Sequence, residues 1–315
     1  MHKIDISIII ATRNRETILW QTVEKAVTAI AGLPAEIIVV NDGDQPLQMP
    51  LAFHDKITCF NNPVRGVSSA RNYGVTKSSG NVLFFVDDDM WLNKESIQWI
   101  IRKMQDDNNK TSVYNLNWEY PASLNKALAK TNVGKFILST NYNTMWGRMH
   151  KNGSQPADGL YKYDTIGSCS LVMHIKTFKA LQGYNESLVF QGEDVDLSNR
   201  VNALAIPIFC VFDTILHHNH ADRLDLKGYL ERINNGYRSQ FMAEKAGLIS
   251  YSVSDYKGWK MPVFEFFRLS EKGLTVLYQL IPEHRIFNTL TNKLTGLLSA
   301  LQRYKQWRII IGDKK

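Results

Sequence analysis

Short, uninterrupted apolar runs alternate with longer stretches of helical spacing through residues 6–86. Ile6-Ser7-Ile8-Ile9-Ile10, Glu36-Ile37-Ile38-Val39-Val40 and Val82-Leu83-Phe84-Phe85-Val86 are rich in β-branched and aromatic residues, the pattern of strands buried on both faces. Between the first two, Glu16 to Ile30 reads as a helix with Thr12 or Asn14 near its start. Between the second and third, a strand-like Thr58-Cys59-Phe60 precedes Arg65-Gly66-Val67-Ser68-Ser69-Ala70-Arg71-Asn72-Tyr73-Gly74, which reads as a helix entered from a glycine. The order is βαβαβ, which predicts an α/β domain with a mainly parallel sheet flanked by helices. Ligands in such sheets bind beyond the carboxyl ends of the strands, where Asp42 and the triplet Asp87-Asp88-Asp89 fall.

A different pattern takes over near the C-terminus. Phe287, Leu290, Leu294, Leu297, Leu301 and Tyr304 recur at alternating spacings of three and four, a short heptad stripe on one helix. No acidic residue lies between His284 and Gly312, whereas Arg285, Lys293, Arg303, Lys305 and Arg308 do. An apolar stripe with a basic polar face fits an interfacial helix on anionic lipid. It fits equally a helix packed on the catalytic domain. A homodimer zipper is a third reading, opposed by a uniformly basic flank that would repel its copy.

Charge sharpens this division. Residues 226–315 hold 15 Lys+Arg against 7 Asp+Glu, leaving 22 against 23 for residues 1–225, so the net +7 resides in the tail. The expected organisation is a catalytic domain over 1–225 and a basic helical C-terminal extension over 226–315. A near-neutral body argues against a nucleic-acid enzyme, whose cleft would carry positive charge. The N-terminus enters a strand with no charged-then-apolar leader, and no window approaches an apolar span of about 20 residues. The expected location is cytoplasmic, peripheral on the inner face of the plasma membrane if the basic helix meets lipid. Cys59, Cys169 and Cys210 are far apart in apolar contexts, which points to core residues rather than a disulfide or zinc framework.

Three adjacent carboxylates repel one another, and a divalent cation is the natural compensator. In extended backbone Asp87 and Asp89 point to one side and Asp88 to the other. Oxygen ligands in low number suit Mg²⁺ or Mn²⁺ alongside a substrate phosphate. The competing reading is an aspartate cap for a helix near Asn93–Ile101. A calcium loop lacks its third oxygen ligand and its glycine. Downstream, Gly192-Glu193-Asp194 at a turn is followed by Asp196, Leu197 and Arg200 in helical spacing. Alone, that is a helix start with acidic residues favoured by the dipole. Beside the triplet, it becomes a second acidic site.

Seven segments in order, "ISIIIATRNR", "IIVVNDGD", "RGVSSARNYG", "VLFFVDDDM", "GSCSLVMH", "LQGYNESL" and "GEDVDLSNRV", cover about residues 4 to 220. Together they resemble the inverting glycosyltransferases of family 2, with the GT-A fold for nucleotide-diphospho-sugar transferases. The resemblance implies a Mn²⁺- or Mg²⁺-dependent transfer of Gal, GalNAc, GlcNAc or Glc from a nucleoside-diphosphate sugar, UDP-linked by expectation, to a glycan or lipid-linked acceptor. It makes Asp89 the metal ligand and gives Asp87 the ribose or a metal-bound water. Asp42 would accept from the nucleobase, and Arg71 would reach the diphosphate. Thr12, Arg13 and Asp88 complete the expected donor site, although the family often has an aromatic residue where this chain has Arg13. Asp194 is the expected base, Glu193 orients acceptor or base, and Asp196 caps or pairs. Gly167-Ser168-Cys169-Ser170 would floor the acceptor sugar.

"ILHHNHADR" supplies His217, His218 and His220 at a strand end. The resemblance places one of them at the metal or diphosphate; His217 is preferred, with His218 the close alternative. Residues 105–165 include Trp118, Tyr142, Trp146 and Tyr161, whose rings either shape an acceptor cleft or pack. A nucleotidyltransferase is disfavoured, since "ATRNRET" lacks a glycine-rich phosphate loop with its lysine. A non-catalytic scaffold for polysaccharide assembly and a retaining enzyme of the same fold are the remaining alternatives.

Overall fold

The computed structural model describes residues 5–106, 111–149, 156, 158–188, 192–220, 225–248, 256 and 258–311. In chain order the elements are β1 (Ile6–Thr12), α1 (Glu16–Ala29), β2 (Ala35–Asn41), β3 (Thr58–Asn61), α2 (Val67–Thr76), β4 (Val82–Asp87), β5 (Met90–Trp91), α3 (Lys94–Asp106), β6 (Val113–Glu119), α4 (Ala122–Leu128), α5 (Asn132–Ser139) and α6 (Met145–Met149). They continue with β7 (Leu160–Tyr163), β8 (Ser170–His174), α7 (Ile175–Ala180), α8 (Glu193–Ala203), β9 (Ile208–His218), α9 (Leu226–Lys245), α10 (Lys260–Leu269), α11 (Glu271–Leu280) and α12 (Asn288–Ile310). The contacts divide them into two compact units, Met1–Glu119 with Ser154–Asn219, and Tyr120–Gly153 with His220–Lys315.

The first unit is built on one sheet in the order β3-β2-β1-β4-β8-β6-β9-β5, with β7 also on β9. β1 pairs in parallel with β2 and β4, as the βαβαβ pattern requires. β8 then runs antiparallel between β4 and β6, so β6 and its parallel neighbour β9 point the same way as β4. The carboxyl ends of β1, β2, β4, β6 and β9 therefore share one edge. The sheet is thus mixed, parallel in its first half.

Both faces are buried, which is why the strand runs are continuously apolar. Ile9, Leu83, Phe85, Val113 and Met173 pack on Phe178 of α7, Tyr184, and Leu197 and Val201 of α8. Each such burial contributes about 1.5–3 kcal/mol. Helix α2 lies on this face so closely that a Cβ at Gly74 would stand 2.5 Å from Ile9 Cγ2. On the opposite face Trp99 of α3 meets Tyr114 edge-on with ring centroids 5.6 Å apart, and Leu19, Val23 and Ala26 bury one side of α1.

The second unit is helical. Its core holds Phe241, Tyr256, Tyr304, Trp307 and Ile310. Along α12, Leu294, Leu301 and Tyr304 of the stripe are buried, as is Leu298 beside it, and Phe287 packs against Tyr278 and Ile281, whereas Leu290 is exposed, so half of the stripe is buried packing surface within this unit. Its basic face is partly neutralised as well: Lys305 pairs with Glu271 at 3.1 Å and Arg308 with Glu265 at 2.7 Å. Exposed apolar residues are most numerous on and around α10 and α11, where Trp259, Phe266, Leu269 and Leu280 are between 64% and 75% exposed, and α12 carries two more at Leu290 and Ile309. Among the described residues no helix is long and apolar enough to cross a membrane.

Candidate active site

The aspartate triplet sits where β4 ends. Extended backbone stops at Asp87, and Asp88 and Asp89 occupy the turn into β5. The strict alternation expected from sequence does not continue past Asp87, because a turn rotates successive side chains differently from a strand. Asp87 stays with the α2/α8 face, whereas Asp88 and Asp89 both engage the α1 side.

On the α1 side, Thr12 Oγ1 donates to Asp88 Oδ2 at 2.7 Å. Arg15, at the N-terminus of α1, bridges the pair, with Nη1 2.5 Å from Asp88 Oδ1 and Nη2 2.9 Å from Asp89 Oδ2. His218 Nε2 stands 2.9 Å from Asp89 Oδ1, and its ring lies edge-on to Trp118 with centroids 4.8 Å apart. Two buried carboxylates thus face one guanidinium. Burial and the Asp89 charge push Asp88 up to about 7, against the pull of Arg15 and Thr12.

On the α2/α8 side, Arg71 is buried at 4% exposure. Its Nη2 donates to Asp87 Oδ1 and its Nη1 to Glu193 Oε1, both at 3.0 Å, and the guanidinium sits 5.3 Å from the Tyr184 ring centroid. Burial alone would lower its pKa, but Tyr184, Asp87, Glu193 and Asp194 raise it, so Arg71 stays charged. Gly192 enters α8 with φ of +94°, a left-handed conformation that other residues rarely adopt, and this aims Glu193 and Asp194 back at the sheet edge. Asp194 Oδ1 accepts from the Ser168 backbone N–H at 3.1 Å and from the Ser168 hydroxyl, which in turn accepts from Tyr184 Oη at 2.8 Å. Burial first, then the Glu193 charge, push Asp194 up to about 7. Asp196 pairs with Arg200 at 2.6 Å instead of entering the site.

Asp42, beyond β2, accepts through Oδ1 from the Gly66 N–H and from Asn62 Nδ2, both at 2.8 Å, and so ties the strand end to the start of α2. Arg13 lies 3.8 Å from Asp42 and 3.7 Å from Asp44.

Several expected residues therefore converge, with changed partners. Arg71, expected at a diphosphate, is held between Asp87 and Glu193. Of the two preferred histidines, His218 rather than His217 meets Asp89. His217 pairs in register with Trp91 across one strand boundary and with Glu119 across the other. Arg15 was not among the expected residues. Its signal was present in "ATRNR", but choosing between Arg13 and Arg15 requires knowing where α1 begins.

Residues 7–173 match the family model for glycosyl transferase family 2, more than half of the chain. The chain belongs to glycosyl transferase family 2. Within the family a curated relative, glycosyltransferase GlyA of Streptococcus pneumoniae serotype 4, is 30% identical over 104 residues, which are 31% of this chain and 15% of that protein. Among solved structures, a mannosyltransferase from Pyrobaculum calidifontis, in complex with GDP-Man and Mn²⁺, superposes with a TM-score of 0.53 at 11% identity. That match covers 95% of this chain and 86% of the neighbour. GalNAc-T7 with UDP, GalNAc and Mn²⁺ gives 0.52 at 15% identity, over 82% of this chain and 54% of that one. TarS of S. aureus gives 0.50 at 14% identity, over 96% and 55%. These neighbours share the GT-A fold, and the chain spans 15% of the curated relative and about half of GalNAc-T7 and of TarS.

Carboxylate and imidazole donors at Asp89 and His218 suit Mn²⁺ and Mg²⁺. Burial and the Asp89 charge, which push the Asp88 carboxyl up to about 7, would be relieved by an added cation.

Proposed function

We propose that the protein transfers a hexose or N-acetylhexosamine from a UDP-linked donor to a hydroxyl of a glycan or lipid-linked acceptor, with inversion. One observation carries the reading: the sheet's carboxyl edge holds Asp89 and His218 on one face and Glu193 and Asp194 on the other, so a leaving diphosphate and an attacking hydroxyl can occupy separate sides. Bound at Asp89 and His218, Mn²⁺ or Mg²⁺ supplies Lewis-acid stabilisation of the departing diphosphate. The two nucleotide-sugar complexes with Mn²⁺ among the neighbours support a metal-assisted donor site.

The chain's own residues supply the rest. Asp42, fixed through Oδ1 and with Oδ2 3.8 Å from Arg13, accepts from the nucleobase in this reading, and Asp87, held by Arg71, takes the ribose. Arg15 and Thr12 hold Asp88 and Asp89 in the orientation that receives the cation. Asp194 accepts the acceptor hydroxyl's proton as the bond to the anomeric carbon forms. Its pKa near 7 matches that task, and the Ser168–Tyr184 chain fixes which oxygen faces the acceptor. Glu193 is tied to Arg71 and orients the site without exchanging a proton.

The basic helical part attaches the enzyme to an anionic membrane surface in this reading. The exposed apolar residues of α10 and α11 carry the contact, because α12 spends half of its stripe on packing. Titration calorimetry with UDP, GDP and dTDP, each with and without Mn²⁺, tests the donor assignment. Metal-dependent binding of UDP alone supports it, selective binding of GDP moves the donor class, and no binding to any of them removes the donor site.

A further inference from the structure

The side of α2 that carries Arg71 carries two more polar side chains, and neither has a part in the mechanism above. Ser68, Arg71 and Asn72 stand three and four residues apart, so they share one side of the helix. Each reaches a different point of the chain that leads to the base. Ser68, fully buried, donates from Oγ to Leu188 O at 3.0 Å, and Arg71 donates to Glu193 at 3.0 Å. Asn72 holds Tyr184 by both of its main-chain groups: Oδ1 accepts from the Tyr184 N–H at 2.8 Å, and Nδ2 donates to Tyr184 O at 2.9 Å. Nδ2 also donates to Glu186 Oε1 at 2.8 Å.

Tyr184 lies between α7 and α8, outside helix and strand, so its N–H and C=O have no ladder to join. Asparagine is the short neutral side chain that offers both a donor and an acceptor, which is what one main-chain residue outside a ladder needs. The Tyr184 ring is buried, edge-on to Phe85 with centroids 5.3 Å apart, and its hydroxyl donates to Ser168 Oγ at 2.8 Å. Ser168 passes the bond on to Asp194 Oδ1 through its own hydroxyl. A shift of the Tyr184 backbone therefore slackens a chain that ends on the base.

We propose that Asn72 is a positioning residue for the base: it fixes the backbone from which Tyr184 and Ser168 orient the Asp194 carboxylate. The inference rests on the transfer reading above for the role of Asp194, and it goes beyond it by assigning a residue that reading does not use. Asp194 is also faced by Glu193 of its own helix, by Arg71 of α2 and by Asp87 at the end of β4. Asn72 bonds to Tyr184 and Glu186 rather than to any of these. The Ser168 hydrogen bond favours the ionised carboxylate, so a slack chain raises the pH at which Asp194 titrates.

Carbon-13 NMR of the full chain labelled at aspartate Cγ reads that midpoint, with the Asp194 resonance assigned by its loss in Asp194→Asn. The expected result is an upward shift of about half a pH unit in Asn72→Ala and in Tyr184→Phe, the size that one hydrogen bond is worth. Because both variants act through one chain, the double variant should shift no further than either alone. Glu186→Ala, which removes the third bond of Asn72 and leaves both Tyr184 groups held, should not move the midpoint. Asn72→Asp keeps the size and the acceptor, and serves if Asn72→Ala does not fold; its cycle with Tyr184→Phe removes the direct effect of the new charge. A lower melting temperature with an unmoved Asp194 midpoint makes Asn72 merely structural and overturns the proposal, as do additive shifts in the double variant. In active enzyme the acid limb of kcat should move with the midpoint while KM for the donor holds. Calorimetric binding of UDP with Mn²⁺ and release of UDP from UDP-sugars, measured on the same samples, report on the transfer reading separately: their absence sinks that reading, while the NMR midpoints still decide whether Asn72 holds Asp194.

Discussion

The two faces of the sheet's carboxyl edge solve opposite electrostatic problems. On the α1 side, Asp88 and Asp89 both pair with Arg15, and burial together with the Asp89 charge pushes Asp88 up to about 7. On the α2/α8 side, Arg71 is buried between Asp87 and Glu193 and locked in place. The first arrangement brings two carboxylates to one guanidinium, whereas the second fixes Asp194 on Ser168 and Glu193 on Arg71. The triplet alone does not distinguish the two faces, because Asp87 turns to Arg71 while Asp88 and Asp89 turn to Arg15.

The largest expected effect breaks the second face. Asp194→Asn should lower transfer by about 10²–10⁴-fold while calorimetric donor affinity holds, since general-base catalysis is worth that much. Retained turnover would move the base elsewhere. In the native enzyme, transfer should rise with pH through about 7, where Asp194 deprotonates. Its stability effect has the opposite sense. The folded pKa lies above the value of about 4 for a free carboxyl, so its contribution is full below about 4 and is lost as pH rises through about 7.

Arg71→Ala should come next, destabilising by about 3–5 kcal/mol because two carboxylates lose their shared buried cation. Arg71→Lys should keep the fold but loosen Asp87 and Glu193, read as a lower kcat with a near-native melting temperature. On the first face, Asp89→Ala and His218→Ala should each weaken Mn²⁺-dependent UDP binding by about 10–100-fold. Metal affinity in His217→Ala should change far less, and a reversal of that order would exchange the two histidines' roles. The smallest effect concerns attachment. Phe266→Ser with Leu269→Ser should reduce partition onto anionic vesicles several-fold, and unchanged partition would remove α10 from the contact.

Much of the edge was legible from residue order. Strands β1, β2 and β4 were visible as runs of Ile, Val and Phe because both of their faces are covered. Asp42, Asp87–Asp89 and Glu193–Asp194 were visible because carboxylates at strand and helix ends stand out against such runs. Arg15 was missed because a guanidinium on a seven-atom reach can serve either end of a turn. His218 could not be told from His217, since adjacent strand residues face opposite ways and only register with β5 and β6 decides which meets Asp89. The α12 stripe showed an amphipathic helix but not its partner, which proved to be the helices of its own unit.

The sequence by itself determined the βαβαβ order, the placement of acidic residues at the carboxyl edge and membership of a glycosyltransferase family, because hydrophobic periodicity and motif order are properties of the chain alone. Only the tertiary structure decided how the triplet divides between two faces, that Arg71 is enclosed and Arg15 bridges, and that His218 rather than His217 meets Asp89. Each depends on a turn's rotation, a strand register or a helix start, and a shift of one residue in any of them sends a side chain to the other face.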